Sequence, residues 1–356
     1  METLYDSFRN HGLSRRDFLK FATSIAIYLG LSPMAYAKMV KELDSKPKPT
    51  VIWLELQDCA GCSESFIRSS NILPTEVLLD LINLQYHETL MSASGKAAEE
   101  AKEEAIKSNK CDYILVVEGS VTPKDSGVYC TVGGKSSYDS LLEAAKYAGA
   151  IICVGSCSSW GGLPHANPNP TGAISVEEAL PPSDREKIIH IPGCPPIADV
   201  MVSVIMQYLV EGKIPKLDSL RRPVAFYGQS IHDSCYRRAF YNAGEFAKSF
   251  DDEGAKNGHC LYELGCKGPV TRNACSTIRW NGGLSFPIQS GHPCFGCSEP
   301  NFWDNGHIYE PLASPNSDNF PKTISTAVAT GVGAGIVVGA ISKWSAKKAH
   351  QENKNG

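Results

Sequence analysis

Between residues 51 and 210, short apolar runs alternate with longer stretches whose pattern is helical. The runs are mostly apolar and contain β-branched and aromatic residues. Such runs predict buried strands at 51–56, 84–90, 113–117, 150–154 and 188–191. The stretches between them predict helices at 72–83, 97–108, 138–148 and 197–210. Buried strands separated by helices indicate an α/β fold with a doubly wound parallel sheet.

The pattern changes after residue 210. From about residue 215, Gly, Pro, Asn, Cys and His become frequent, and the pattern predicts at most one further helix, over 235–250. A region so poor in regular structure needs another source of stability. Metal clusters can supply it, because the free energy of binding a metal can become free energy of folding. We therefore predict a sheet domain over 51–214 and a metal-binding domain over 215–315.

The N-terminus has the features of an export signal over 1–37. Its segment 14–20 reads SRRDFLK, a charge-free stretch runs from 21 to 37, and Ala35-Tyr36-Ala37 has the small–x–small form of a cleavage site. The paired arginines resemble the twin-arginine consensus, which directs export of folded proteins. The alternative is an ordinary amphipathic helix. The charged, proline-containing residues 38–50 predict a linker.

A second uncharged run lies at 323–342, near the C-terminus. It is long enough to cross a bilayer as a helix, and Gly331, Gly335 and Gly339 share one helix face. Lysines follow at once, which favours a cytoplasmic tail over 343–356. We predict a single transmembrane anchor, with the body of the protein on the periplasmic face. The alternative is a flexible glycine-rich tail.

Charge and cysteine content narrow the function. The 356 residues include 34 basic and 38 acidic ones, and this near balance argues against a nucleic-acid-binding surface. The 13 cysteines are an odd number, so they cannot all pair in internal disulfides.

Four cysteines follow predicted strands. Cys59 and Cys62 come after the first strand, Cys157 after the strand at 150–154, and Cys194 after the strand at 188–191. The carboxyl ends of parallel strands lie at one edge, where such sheets bind ligands. Four converging thiolates suit a four-iron cluster or zinc. A redox dithiol at Cys59 and Cys62 would leave the other two cysteines unexplained.

The remaining cysteines form two further groups and three single residues. His232, Cys235, Cys260 and Cys266 make a second candidate ligand set. The third contains only three thiols, Cys275, Cys294 and Cys297, which suits a three-iron cluster. His292 is a possible fourth ligand of the third set, but we interpret it instead as a hydrogen-bond partner. Cys111 and Cys153 are predicted to be small core residues, and Cys130 is a core or loop residue.

These motifs closely resemble the small subunits of nickel–iron hydrogenases. The resemblance rests on CAGCSE at 59–64, GSC at 155–157, PGCPP at 192–196, GCKGP at 265–269 and GHPCFGCSEPNFWD at 291–304, in that order. It implies a flavodoxin-like domain followed by an irregular cluster-binding domain. It also implies a proximal 4Fe-4S cluster on Cys59, Cys62, Cys157 and Cys194, a distal 4Fe-4S cluster on His232, Cys235, Cys260 and Cys266, and a medial 3Fe-4S cluster on Cys275, Cys294 and Cys297.

The same resemblance implies the partners and the reaction. The nickel–iron centre that cleaves hydrogen belongs to a large subunit, so we expect no catalytic residue in this chain. Electrons are expected to reach a membrane cytochrome b and quinone, from a complex that is a dimer of heterodimers. Oxygen-tolerant relatives carry two extra cysteines where this chain has Gly61 and Gly162, so a standard proximal cluster is expected. The alternatives are an exported zinc-binding structural protein, a disulfide-bonded periplasmic binding protein, or a hydrogenase subunit that serves a soluble cytochrome c.

Overall fold

The structure is a computed structural model that describes residues 4–10, 12, 14–28, 32–45, 48–69, 82–306 and 308–312. Residues up to Glu310 form one compact unit, and a second unit begins at Pro311. The predicted anchor over 323–342 and the tail over 343–356 lie outside the described residues. So does the predicted helix over 72–83 apart from its last two residues. Within the described ranges, every helix is too short or too polar to cross a membrane.

The first part of the compact unit is built on a five-stranded parallel sheet. The strands of the chain are β1 Thr50–Glu55, β2 Asn83–His87, β3 Tyr113–Glu118, β4 Thr131–Val132, β5 Lys135–Ser136, β6 Ala150–Val154 and β7 Ile188–Ile191. The sheet order is β2-β1-β3-β6-β7, while β4 and β5 form a separate small hairpin. Without the hairpin this is the flavodoxin-like order, so the predicted fold of this part is confirmed.

Helices cover the sheet and connect its strands. In chain order they are α1 Leu4–Asn10, α2 Arg15–Tyr28, α3 Pro33–Ser45, α4 Gly61–Phe66, α5 Gly95–Ser108, α6 Ser137–Tyr147, α7 Gly155–Trp160, α8 Gly162–His165, α9 Val176–Ala179, α10 Pro182–Arg185, α11 Ala198–Glu211, α12 Val224–Tyr227, α13 Arg238–Ala243 and α14 Glu253–Lys256. The predicted helices over 97–108, 138–148 and 197–210 correspond to α5, α6 and α11.

The core has two parts, one on each face of the sheet. Alternate residues of β1 divide between them, with Val51 and Trp53 on one face and Ile52 and Leu54 on the other. The first face packs against α11, and its core continues into the region after residue 215 through residues such as Phe226 and Phe286. The second face packs against α5 and α6. The sheet and the region that follows it therefore share one hydrophobic core.

The region after residue 215 is irregular, as its composition predicts. Besides α12 to α14 it contains short 3₁₀ helices at Tyr262–Leu264, Gly268–Val270 and Ala274–Ser276. The helix predicted over 235–250 is wrong in extent, because only α13 is helical there. Gly244 adopts a left-handed φ of 74° and ends the helix. The chain beyond it pairs instead with Cys260, through the hydrogen bond from Ala247 N to Cys260 O.

The N-terminal helices pack against the body of the protein. Phe18, Ala22 and Ala26 lie four residues apart on α2 and belong to the same core as α11, and so does Met39 of α3. Within the predicted linker over 38–50, residues 38–45 continue α3. The reason is Met39, whose fully buried side chain gives this otherwise charged stretch an apolar contact.

Candidate metal centres

The first ligand set lies at the carboxyl edge of the sheet. Cys59 follows β1, Cys62 is in α4, Cys157 is in α7 directly after β6, and Cys194 follows β7. Burial raises the pKa of Cys62 well above its ordinary value, and the nearby charges of the other three thiols raise it further. The structure thus brings these four residues together, and we call them the proximal set.

Glycines surround the sulfur atoms of the proximal set. A Cβ atom on Gly155, whose φ is 89°, would lie 2.5 Å from Cys62 Sγ. A Cβ atom on Gly162 would lie 2.5 Å from Cys157 Sγ, and one on Gly61 would lie 3.1 Å from Cys59 Sγ. These glycines allow the backbone to approach the sulfurs closely, as a bulky cluster requires. A Cβ atom at Gly155 or at Gly162 would overlap a cysteine sulfur.

The second ligand set lines a small pocket. We call it the distal set: His232, Cys235, Cys260 and Cys266. Burial lowers the pKa of His232 to about 4, so its imidazole is neutral at pH 7 and able to ligate a metal. Burial, together with the neighbouring Cys266 and Cys235, raises the pKa of Cys260 to about 11.

The third ligand set is largely buried and touches both of the others. We call Cys275, Cys294 and Cys297 the medial set. The backbone N–H of Cys294 donates to Cys266 Sγ of the distal set at 3.4 Å. On the other side, the hydroxyl of Ser156, next to Cys157 of the proximal set, donates to the backbone C=O of Cys297, whose thiol has its pKa raised by burial. The medial set therefore lies between the proximal and distal sets.

His292 is already occupied by hydrogen bonds. Its Nδ1 lies 2.8 Å from Pro293 O, and its Nε2 lies 3.1 Å from Tyr309 Oη. Its backbone N–H also donates to Pro287 O at 2.9 Å. These contacts agree with a hydrogen-bonding role, and the medial set provides three thiols.

The spacing of the thiols distinguishes a cluster from a single zinc ion. Four thiolates at about 2.3 Å from one zinc would lie about 3.8 Å from each other. Among the described residues, no three Cys or His donor atoms lie within 4.8 Å of one another. The wider spacing suits a multi-iron cluster, which places several atoms between its ligands. The zinc alternative therefore fits the arrangement poorly.

Sequence reasoning missed a group of acidic residues behind the proximal set. Glu118 accepts hydrogen bonds from the backbone N–H groups of Cys62 at 2.8 Å and Ser63 at 2.9 Å, and from the Ser63 hydroxyl at 2.6 Å. Glu118, Glu55 and Asp58 lie within 4.8 Å of one another, and burial raises the pKa of each, that of Glu118 to about 7. Glu118 thereby fixes the start of α4, where Cys62 lies. The sequence signal that could have identified Glu118 is its position at the end of an apolar strand.

The three cysteines outside the sets differ in environment. Cys153 is fully buried in β6, as predicted, and Cys130 is half-buried. The prediction of a core position for Cys111 is wrong, since this residue is exposed. It lies in the turn after α5 with a φ of 65°, where its backbone N–H donates to Tyr147 O.

Comparisons with known proteins agree with this arrangement. A family model for the C-terminal part of the NiFe/NiFeSe hydrogenase small subunit matches residues 227–310. A second, described as NADH ubiquinone oxidoreductase, 20 Kd subunit, matches residues 59–208. The first match covers the distal and medial sets, and the second covers the proximal set.

Similar proteins match over almost the whole chain. The uptake hydrogenase small subunit of Azotobacter vinelandii is 48% identical over 94% of this chain and 94% of its own length. The hydrogenase-1 small chain of Escherichia coli K12 is 44% identical, over 96% and 93%. A solved structure of a reduced, active Ni-Fe-Se hydrogenase from Desulfomicrobium baculatum is 33% identical with a TM-score of 0.69, over 74% of this chain and 99% of that one. The chain therefore belongs to the family of nickel–iron uptake hydrogenase small subunits.

Proposed function

We propose that this chain is the electron-transferring subunit of a hydrogen-oxidising complex. It holds a 4Fe-4S cluster on the proximal set, a 4Fe-4S cluster on the distal set and a 3Fe-4S cluster on the medial set. When bound, the clusters supply one-electron transfer away from the nickel–iron centre of the large subunit. The chain's own residues hold the clusters, space them and tune their surroundings.

The observation that carries the proposal is the continuity of the three ligand sets. The buried hydroxyl of Ser156 joins the residue before Cys194 to the backbone C=O of Cys297, and Cys266 of the distal set accepts the backbone N–H of Cys294. Each of these contacts lies at a ligand or at a residue next to one. In a row of this kind the proximal and distal sets each have one neighbour and the medial set has two, so a single path connects the two ends.

Backbone N–H groups near the sulfurs support cluster binding. Besides the contact of Cys294 N with Cys266, the backbone N–H of Gly296 donates to Cys294 Sγ at 3.4 Å. Such donors stabilise the negative charge of thiolate-bound clusters and raise their potentials. Burial raises the pKa of Cys157 and Cys275 to about 12 each, so these thiols are protonated at pH 7 until a metal displaces the proton.

The proximal set is the part of the row available to the large subunit. Cys59 and Cys194 are exposed, whereas the medial Cys275 and Cys294 are buried.

The complex is proposed to be a dimer of heterodimers. At the distal end, electrons would pass to a membrane cytochrome b and quinone, with a soluble cytochrome c as the alternative acceptor. Reduction of quinone by hydrogen in isolated membranes tests this assignment, and reduction of added cytochrome c without quinone would favour the alternative.

Export by the twin-arginine route, and anchoring by 323–342 on the periplasmic face, are part of the proposal. The side chains of Arg15 and Arg16 are exposed at the start of α2, where an export receptor can reach them. An R15K/R16K double variant is expected to leave the protein in the cytoplasm. Normal periplasmic localisation of that variant would contradict the assignment.

The proximal cluster is proposed to be of the standard type, without special oxygen tolerance. The close approach of Cys157 Sγ to the Cβ position of Gly162 supports this, because an additional cysteine side chain has no space there. Hydrogen oxidation measured during sustained exposure to air should decline. Undiminished activity would show that the prediction is wrong.

The decisive experiment is EPR spectroscopy of the purified complex with iron quantified. We expect a three-iron signal in the oxidised state that disappears on reduction with hydrogen, and about eleven irons per small subunit from two four-iron clusters and one three-iron cluster. An EPR-silent protein that contains zinc, or no metal, would overturn the proposed function.

A further inference from the structure

One serine hydroxyl joins the loops of three ligands. Ser156 is only 2% exposed and lies between β6 and Cys157. Its hydroxyl accepts the backbone N–H of Gly193 at 3.0 Å and donates to the backbone C=O of Cys297. Its own backbone N–H donates to Gly193 O at 2.9 Å. Ser156 therefore connects the chain next to Cys157, the chain next to Cys194 and the medial residue Cys297.

A second side chain of the same helix makes a parallel connection. Trp160 donates from Nε1 to Ser298 O at 3.2 Å, next to Cys297. The Trp160 ring packs against the ring of His190, with their centroids 4.8 Å apart. His190 is fully buried in β7, and its Nε2 lies 3.1 Å from Glu177 Oε2. Helix α7 thus contacts two successive residues, Cys297 and Ser298, in the loop that carries the last medial ligand. Its own Cys157 belongs to the proximal set.

These connections determine how far apart the two sets lie. A buried hydroxyl that both accepts and donates fixes two backbone groups relative to each other, since an alternative arrangement would leave both groups unpaired. The rate of electron transfer between two sites falls steeply with their separation and with the loss of bonded contact between them. A residue that fixes this separation acts on the rate without touching the reacting hydrogen.

We propose that Ser156 is a positioning residue that sets the spacing of the proximal and medial sets, with Trp160 as its support. The inference rests on the proposed function, because it concerns transfer between the two clusters. Each hydrogen molecule oxidised by the large subunit yields two protons and two electrons. Each electron gained at the medial set is one lost at the proximal set, so no further reactant is required.

The test compares S156A with S156T and S158A in the purified complex of both subunits. S156T restores a hydroxyl at the same position. Ser158 is a matched control, because it is fully buried in the same helix but its hydroxyl donates to Val154 O at 2.7 Å, close by in sequence. Rapid-freeze EPR after mixing with hydrogen measures how fast the three-iron signal disappears. The magnetic interaction between the proximal and medial clusters, read from the shape of the proximal cluster's signal in the fully reduced complex, where both clusters are paramagnetic, measures their spacing.

We expect S156A to slow the loss of the three-iron signal by about tenfold and to change the magnetic interaction. This is less than the roughly 100-fold that a misplacement of about 1 Å can cost at an active site. S156T should restore most of the rate, and S158A should behave as wild type. Exchange of hydrogen with deuterated water, which needs only the large subunit's centre, should stay unchanged in all three variants.

The outcomes separate this inference from the proposed function. If the wild-type complex shows no three-iron signal, the proposed function fails. If that signal is present but S156A matches S158A in rate and magnetic interaction, the inference alone fails. Should S156A lose iron, W160F provides the test, since it removes the N–H that reaches Ser298 and keeps an aromatic ring beside His190. A slower rate in W160F would support the inference, and a wild-type rate and interaction would overturn it.

Discussion

Arg222 is a buried arginine that binds the chain just after the medial ligand Cys297. Its replacement tests the expected cost of breaking a buried ion pair. Arg222 is 3% exposed and donates from Nη1 to Glu299 Oε1 and from Nε to Asp218 Oδ2, both at 2.9 Å. Its guanidinium also lies over the ring of Tyr227, 5.7 Å from the centroid. Glu299 follows the medial ligand Cys297 by two residues. The substitution R222M keeps the apolar stem and removes the charge and the donors.

The expected cost follows from the partners that remain. Breaking a buried ion pair on one side costs about 3–5 kcal/mol, because the other charge stays without its partner. Glu299 would keep one hydrogen bond, from Arg272 N at 2.6 Å, and Asp218 would keep those from the backbone N–H groups of Leu220 and Arg222. We therefore expect R222M to lower the free energy of unfolding by about 3 kcal/mol, at the lower end of that range.

The assay is urea unfolding of the purified complex, with iron content and the three-iron EPR signal measured on the same samples. The control is K107M, which breaks the exposed Lys107–Glu103 pair on α5 at 3.3 Å and should cost at most about 0.5 kcal/mol. We expect R222M to lose the three-iron signal at a lower urea concentration than wild type. The reasoning is refuted if R222M is no less stable than K107M, or if its medial signal survives like that of wild type.

Two further predictions concern the proximal set and its surroundings. G155A should reduce the iron bound by the proximal set, because its Cβ would lie 2.5 Å from Cys62 Sγ. The control is G291A, which should keep its iron, because Gly291 has a similar φ of 87° and an added Cβ would meet no atom within 4 Å. Equal iron contents in the two variants would contradict this prediction. H87Q should weaken the loss of stability in acid. Burial lowers the pKa of His87 from 6.5 to about 4, so stability falls as the pH drops from 6.5 to 4, by about 3 kcal/mol more in wild type than in H87Q. Urea unfolding at pH 7 and pH 4 measures this difference, and parallel losses in both proteins would rule it out.

The fold and the ligand sets were predictable because their signals are local or follow from topology. Apolar runs located the strands, and the rule that parallel strands end at one edge was enough to predict that Cys59, Cys157 and Cys194 converge. The strand predicted at 84–90 is shorter, since β2 ends at His87 and the chain then turns.

The connections between the sets were not predictable from pattern. Ser156 and Cys297 are 141 residues apart in the chain, and Arg222 and Glu299 are 77 apart. Their pairing depends on how the irregular region after residue 215 returns to the sheet edge. No periodic pattern of hydrophobic residues predicts that path, because metal ligands and long-range hydrogen bonds determine it. The packing of Phe18 and Met39 against the body was missed for the same reason, because it depends on contacts with residues far away in the chain.

The medial set lies between the other two sets in space, yet the chain supplies it last. The proximal ligands are complete at Cys194 and the distal ligands at Cys266, while the medial set waits for Cys297. The centre of the row is thus the last part of it to leave the ribosome. A polypeptide terminated near residue 270 would contain the proximal and distal ligands but none of the three medial ligands. We therefore expect a prematurely terminated chain to be unable to transfer electrons between its two ends, even if both ends fold. Only a chain synthesised as far as Cys297 contains every ligand of the row.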